Sequence, residues 1–309
     1  MTTATPGRIV CPLTTPLDKE ECLDRGTLVR LVDHLLPDLD GILVLGSSGE
    51  LPLLRPSVAC EALEAVVESV GGRVPVYAGV GEAGLARTLE NVSAVARSGA
   101  DYVVATGPFY YPVTDQDSLV RHFLAIAEAS SLPVFLYNIP QNTVSNLEPG
   151  SVERLAEHPN IAGIKDSSGD MFRFQGFLRS RHEGFLVMQG REQLAAASLW
   201  LGADGIISAL ANIAPTMLQG LAEAVADGNR EAALEKQRRI SDVARLFDEG
   251  YWLSALKSAL AEMGFGTGRL AGPLPPCTEE QRLRIEGCLE EHGLLEARGG
   301  VPGHSTRPN

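Results

Sequence analysis

Eight short runs of β-branched and aliphatic residues recur along this chain, separated by intervals wide enough for one helix each, and this alternation constrains the fold more than any other feature. The runs are residues 8–14 (RIVCPLT), 41–45 (GILVL), 74–79 (VPVYAG), 101–105 (DYVVA), 133–138 (PVFLYN), 161–165 (IAGIK), 185–189 (FLVMQ) and 205–208 (GIIS). Between them, apolar residues fall at helical spacing. Residues 57–70 carry Val58, Leu63, Val66, Val67 and Val70, and residues 115–130 carry Leu119, Phe123, Ile126 and Ala127. Strands alternating with helices predict βα units around a parallel sheet. Eight units predict an α/β fold closed into a (β/α)8 TIM barrel, with an open doubly wound sheet as the alternative that periodicity alone leaves standing.

Beyond the eighth run the β signal stops. Residues 212–292 read as consecutive helices, among them EAALEKQRRISDVARLFDE and YWLSALKSALAEM. The expected division is a catalytic barrel over 1–225, a C-terminal helical region over 226–296, and a disordered tail over 297–309, where ARGGVPGHSTRPN has no apolar periodicity.

With 309 residues at 44% hydrophobic, the chain can bury a large core. Its formal charge of −13 argues against a nucleic-acid partner, which needs a basic face. No apolar run approaches the roughly 20 residues that cross a bilayer, and MTTATPGRIV lacks the apolar centre of a signal peptide, so a soluble cytoplasmic protein with no membrane partner is expected. Cys11, Cys22, Cys60, Cys277 and Cys288 are widely spaced with no CxxC pair, which predicts reduced thiols and neither a disulfide framework nor a zinc site.

Only four lysines occur, Lys19, Lys165, Lys236 and Lys257, against 22 arginines. Lys165 alone ends an apolar strand, and the C-terminal strand ends of a barrel form its active face. An ammonium desolvated there becomes a free amine able to attack a ketone. The alternative is a structural lysine paired with Asp166 or another strand-end carboxylate. Tyr137, at the end of VFLYN, and Tyr110, in GPFYYPV after the fourth strand, suit proton relay, or else packing with a hydrogen-bonded hydroxyl. The loop Gly46–Glu50 (GSSGE) offers Ser47, Ser48 and backbone N–H groups to a carboxylate. It is not a nucleophile elbow, since Glu50 stands where G-x-S-x-G needs glycine. Residues 79–84 (GVGEAG) match the dinucleotide fingerprint, but the next strand, VVATG, ends without the acidic residue that a ribose requires.

Taken together and in order, GSSGE, GPFYYP, FLYNIP, GIKDSSGD and GADGIISALANIAP resemble the dihydrodipicolinate synthase and N-acetylneuraminate lyase family over roughly residues 8–295. The resemblance implies a homotetrameric barrel, built as a dimer of dimers, that acts on pyruvate or its aldol adducts through a Schiff base, without metal or organic cofactor. It makes Lys165 the Schiff-base lysine and Tyr137 the proton donor and acceptor beside it. Ser48 would bind the pyruvoyl carboxylate, and Ser47 would link Tyr137 to a Tyr110 supplied by the neighbouring subunit of a tight dimer. Gly190 and Ile207 would line the pyruvoyl group.

The other half of the substrate is less defined. Dihydrodipicolinate synthases carry an arginine two places after the YNxP proline, where this chain has Asn142, and a bidentate fork is not replaced by an amide. Val144 also stands where a glycine is usual. Ser167, Glu192 and Ser208 match the groups with which N-acetylneuraminate lyases hold a polyhydroxy tail, but Arg191 replaces their aspartate. Arg191 is suited either to a distal carboxylate on the substrate or to an ion pair. Asn142 and the run SALAN resemble 4-hydroxy-2-oxoglutarate aldolases. The expected activity is cleavage or formation of the C3–C4 bond of a 4-hydroxy-2-oxo acid, giving pyruvate and an aldehyde. A synthase-type condensation, a 2-oxo sugar acid dehydratase and a non-catalytic oxo-acid binder are the alternatives.

Overall fold

The computed structural model describes residues 7–295, so the tail expected at 297–309 lies outside the described residues. The eight strands are β1 (Arg8–Pro12), β2 (Gly41–Val44), β3 (Val76–Gly79), β4 (Tyr102–Thr106), β5 (Val134–Asn138), β6 (Ile161–Asp166), β7 (Leu186–Gln189) and β8 (Gly205–Ile207). All neighbours pair in parallel, and β8 returns to β1 through Arg8, Ile9 and Val10, so the sheet closes in sequence order. The (β/α)8 barrel is therefore realised, and the open sheet is not.

Closure follows from the two-residue period of a strand. On β1, Ile9 and Cys11 face outward to the helices, while Val10 joins the barrel interior with Leu43, Tyr77, Val104, Phe135, Met188 and Ile207. Tyr77 stacks on Tyr102 with centroids 4.6 Å apart, and Phe135 meets Tyr77 edge-on at 5.3 Å, filling the interior below the strand ends. The outer faces of the strands pack on helices such as Pro56–Val70 and Gln116–Ala129, which cover the two stretches read from the apolar spacing.

After the helix Pro215–Ala226, the described residues include the further α-helices Arg230–Ala244, Trp252–Glu262 and Glu279–Glu291. Their residues Ile240, Val243, Leu253, Leu256 and Ile285 are buried in the same apolar cluster as the barrel's outer layer. This continuity carries the start of Trp252–Glu262 to the mouth of the barrel.

Candidate active site

A cavity of about 350 Å³ opens at the C-terminal ends of the strands. Lys165, at the end of β6, enters it and is 4% exposed. The same alternation turns its neighbours the other way. Ile164 packs on the helices, and Asp166 lies outside the barrel, where its carboxylate accepts Asn138 Nδ2 at 2.8 Å and Ser168 Oγ at 2.9 Å. Among the described residues no carboxylate lies within ion-pair distance of Lys165, so the pairing with Asp166 is not formed.

Tyr137 stands one residue from the end of β5 in direct register with Lys165, and Lys165 Nζ lies 4.1 Å from the centroid of its ring. Burial pushes the phenol's pKa up. The Lys165 charge and hydrogen bonds from Ser47, Ser167 and Lys165 outweigh it, so the phenol titrates below its ordinary value. Ser47 Oγ stands 3.5 Å from Tyr137 Oη, the outer limit of a hydrogen bond. Ser48, buried beside it, lines the cavity with Gly190 and Ile207. A Cβ on Gly190 would lie 2.9 Å from Asp166 O and would displace the Ser167 hydroxyl, so glycine suits this tight wall.

The outer cavity brings together Asn142, Ser167, Arg191 and Glu192. Arg191 Nε donates to Ser167 O at 3.0 Å, and among the described residues its guanidinium has no carboxylate partner. Glu192 is buried and accepts Ser208 Oγ at 2.6 Å. Ser208 itself is fully buried and outside the cavity lining.

Tyr110 stands apart from Ser47 and Tyr137 within the single chain. It is 81% exposed, has φ of 74°, and meets Tyr111 edge-on at 4.9 Å. A second hollow of about 210 Å³ lies on the far side of Tyr137, lined by Ser47, Leu51, Thr106, Phe109 and Asn142.

Several cavity residues were not singled out from the sequence. Gln141 lines the cavity and donates to Ser167 O at 2.6 Å. Phe247, Asp248, Tyr251 and Trp252 come from the C-terminal helices and form the outer wall. The only sequence signal for this wall was an aromatic pair opening an amphipathic helix. In the GVGEAG run, a Cβ on Gly79 would lie 2.0 Å from Leu45 O and one on Gly81 2.3 Å from Thr106 Oγ1, so both glycines let neighbouring strand ends approach closely.

A buried lysine and tyrosine near adjacent strand ends, beside a serine-bearing loop in a closed barrel, fit a lyase of the aldolase superfamily. The family model of the dihydrodipicolinate synthetase family matches residues 5–292, and the chain belongs to that family. It is 38% identical over 291 residues to a 4-hydroxy-tetrahydrodipicolinate synthase of Xylella fastidiosa, covering 94% of this chain and 95% of the relative. It is 37% identical to an uncharacterized DapA-like lyase of Halobacterium salinarum, covering 93% and 94%. Among solved structures, YagE, a prophage protein of this family from E. coli K12 in complex with pyruvate, superimposes with a TM-score of 0.88 at 28% identity, covering 94% and 99%.

Proposed function

We propose that this lyase cleaves, or in reverse forms, the C3–C4 bond of a 4-hydroxy-2-oxo acid, releasing pyruvate and an aldehyde. The observation that carries this reading is Lys165, buried and without a carboxylate partner among the described residues, over the ring of a phenol whose pKa is lowered. Two solved relatives, YagE and the synthase of Acinetobacter baumannii, hold pyruvate.

Lys165 Nζ attacks C2 of the oxo acid and water departs, leaving a protonated imine. Ser48 and its backbone N–H hold the carboxylate at C1, with Gly190 and Ile207 against the pyruvoyl group. Tyr137 removes the C4 hydroxyl proton, and the C3–C4 electron pair moves to C3 as the aldehyde leaves, so the imine becomes an enamine. Protonation at C3 and hydrolysis then release pyruvate and free Lys165. Ser47 passes the proton onward to Tyr110 of a second copy. The single chain leaves Tyr110 exposed and leaves a hollow open beside Ser47 and Tyr137, which supports a tight dimer that shares this tyrosine. Phe172 at 88% exposure and Trp200 on a neighbouring helix support a second contact, and so a dimer of dimers.

Arg191, with Asn142, Ser167 and Glu192, forms the distal half. Its guanidinium, without a carboxylate partner among the described residues, supports a substrate with a second carboxylate. A synthase-type condensation has the relatives' names in its favour. Asn142, at the cavity rim where such enzymes carry an arginine, weighs against it.

Borohydride reduction with pyruvate should add one reduced pyruvoyl group to Lys165, located by peptide mass spectrometry, and Lys165→Ala should take none. No adduct at saturating pyruvate would overturn the Schiff-base reading. Pyruvate release from a panel of 4-hydroxy-2-oxo acids then identifies the aldehyde.

A further inference from the structure

A second buried lysine lies outside the cavity lining. Lys257 Nζ contacts Glu50 Oε2 at 2.6 Å, and the two side chains are 5% and 0% exposed. Lys257 also donates to Thr15 O at 2.8 Å, and Glu50 Oε1 accepts the Ala271 amide at 3.0 Å. Thr15 Oγ1 in turn donates to Gly49 O at 2.9 Å, closing the network on the loop that carries Ser47 and Ser48. Glu50 takes φ of 60°, a conformation that L side chains rarely adopt, although glycine stands beside it at position 49.

Two features locate this pair in the site. Glu50 lies two residues past Ser48, which faces the substrate carboxylate in the proposed reaction. Lys257 lies on the helix Trp252–Glu262, five residues past Trp252, and Trp252 with Tyr251 forms the outer wall of the cavity. A buried ion pair contributes little net stability, because desolvation offsets the attraction. It does fix distance and direction between the segments it joins. Lys257 is not a second Schiff-base amine, since the crevice beside it is about 10 Å³, room for no more than one water.

We propose that the Glu50–Lys257 pair is a positioning strut that ties the Ser47–Ser48 loop to the helix bearing Tyr251 and Trp252. It thereby sets the span between the carboxylate end and the aldehyde end of the substrate. The second half of this inference rests on the proposed function.

The test uses the full chain with Glu50→Gln, Lys257→Met and both together. Each single change strands a buried partner and should lower Tm, while the double variant removes both charges and should recover most of it. Its amides over residues 46–50 should nevertheless exchange about tenfold faster with deuterium, the signature of local loosening. In borohydride trapping, its half-saturating pyruvate concentration should rise about tenfold while the rate at saturation stays within about threefold, because binding is loosened and Lys165 is not. A merely structural pair would lower the folded fraction, reducing the saturated rate and leaving half-saturation unchanged. The strut is overturned if the double variant shows wild-type exchange over 46–50. That arm decides even if the wild type takes no adduct, an outcome that would sink the proposed function alone.

Discussion

Lys165 and Tyr137 stand in direct register, each one residue from the end of its strand, with the lysine Nζ 4.1 Å from the phenol ring's centroid. One contact thus serves two roles, since the ring face accommodates the charge while the hydroxyl points to Ser47. Tyr137→Phe keeps the ring and removes only the proton carrier. Lyase turnover should fall roughly a hundredfold or more, the usual weight of general acid–base catalysis. Tm should stay near wild type, since the variant fills the same space. Turnover within about twofold of wild type would remove Tyr137 from the proton path.

Tyr110 lends itself to a complementation experiment. If it acts across a dimer, Tyr110→Phe and Lys165→Ala chains should each be severely impaired. Refolded together at equal amounts, they form hybrids in which one site has both groups intact. Random pairing makes half the dimers hybrid with one working site of two, so about a quarter of wild-type activity should return. No recovery in verified hybrids would place Tyr110 outside the site.

Arg191 distinguishes substrates by charge. Arg191→Ala should lower kcat/KM for substrates with a distal carboxylate by about tenfold to a hundredfold, the range for a hydrogen bond to a charged group. Substrates with neutral tails should change little. A uniform loss across the panel would show that Arg191 supports the loop through its bond to Ser167 O instead.

The barrel was legible in the sequence from its eight strand–helix units, and the inward placement of Lys165 from its position at the end of an apolar strand. In IAGIK the residue after Ile164 must face the opposite way, so an apolar strand ending in lysine points that lysine inward. Ser208 entered through its match to N-acetylneuraminate lyases, and nothing in the sequence signals that its hydroxyl is held by Glu192. The outer wall was not legible. Periodicity in YWLSALKSALAEM marks an amphipathic helix without saying that its first residues meet the barrel mouth. Lys257 read as an ordinary helix lysine because its partner, Glu50, lies 207 positions away.

Ser208 therefore has a stability signature. Its hydroxyl donates to the buried Glu192 carboxylate at 2.6 Å, and Ser208→Ala leaves that oxygen short of a partner. The expected cost is about 1–3 kcal/mol in urea unfolding, with no selective effect on any substrate class. A selective KM effect on hydroxylated tails, at unchanged stability, would return Ser208 to the binding set.

Asp166 links the site to pH. Burial raises its carboxyl above the ordinary 3.8, against hydrogen bonds from Asn138 and Ser168 that lower it. An acid with a raised folded pKa binds its proton more tightly when folded. Its contribution is thus fully present below 3.8 and lost as pH rises through the folded value. Asp166→Asn is neutral throughout, and its amide can still accept from Asn138 and donate to Ser168 Oγ. The variant should therefore gain stability relative to wild type as pH climbs from below 3.8 toward neutrality, read as a growing Tm difference. A difference that stays flat or shrinks over that interval would mean that the hydrogen bonds, and not burial, dominate at Asp166. Because Asp166 pairs with Asn138 directly behind Lys165 and Tyr137, the same titration followed by imine trapping shows whether the charge on Asp166 reaches the Lys165–Tyr137 pair.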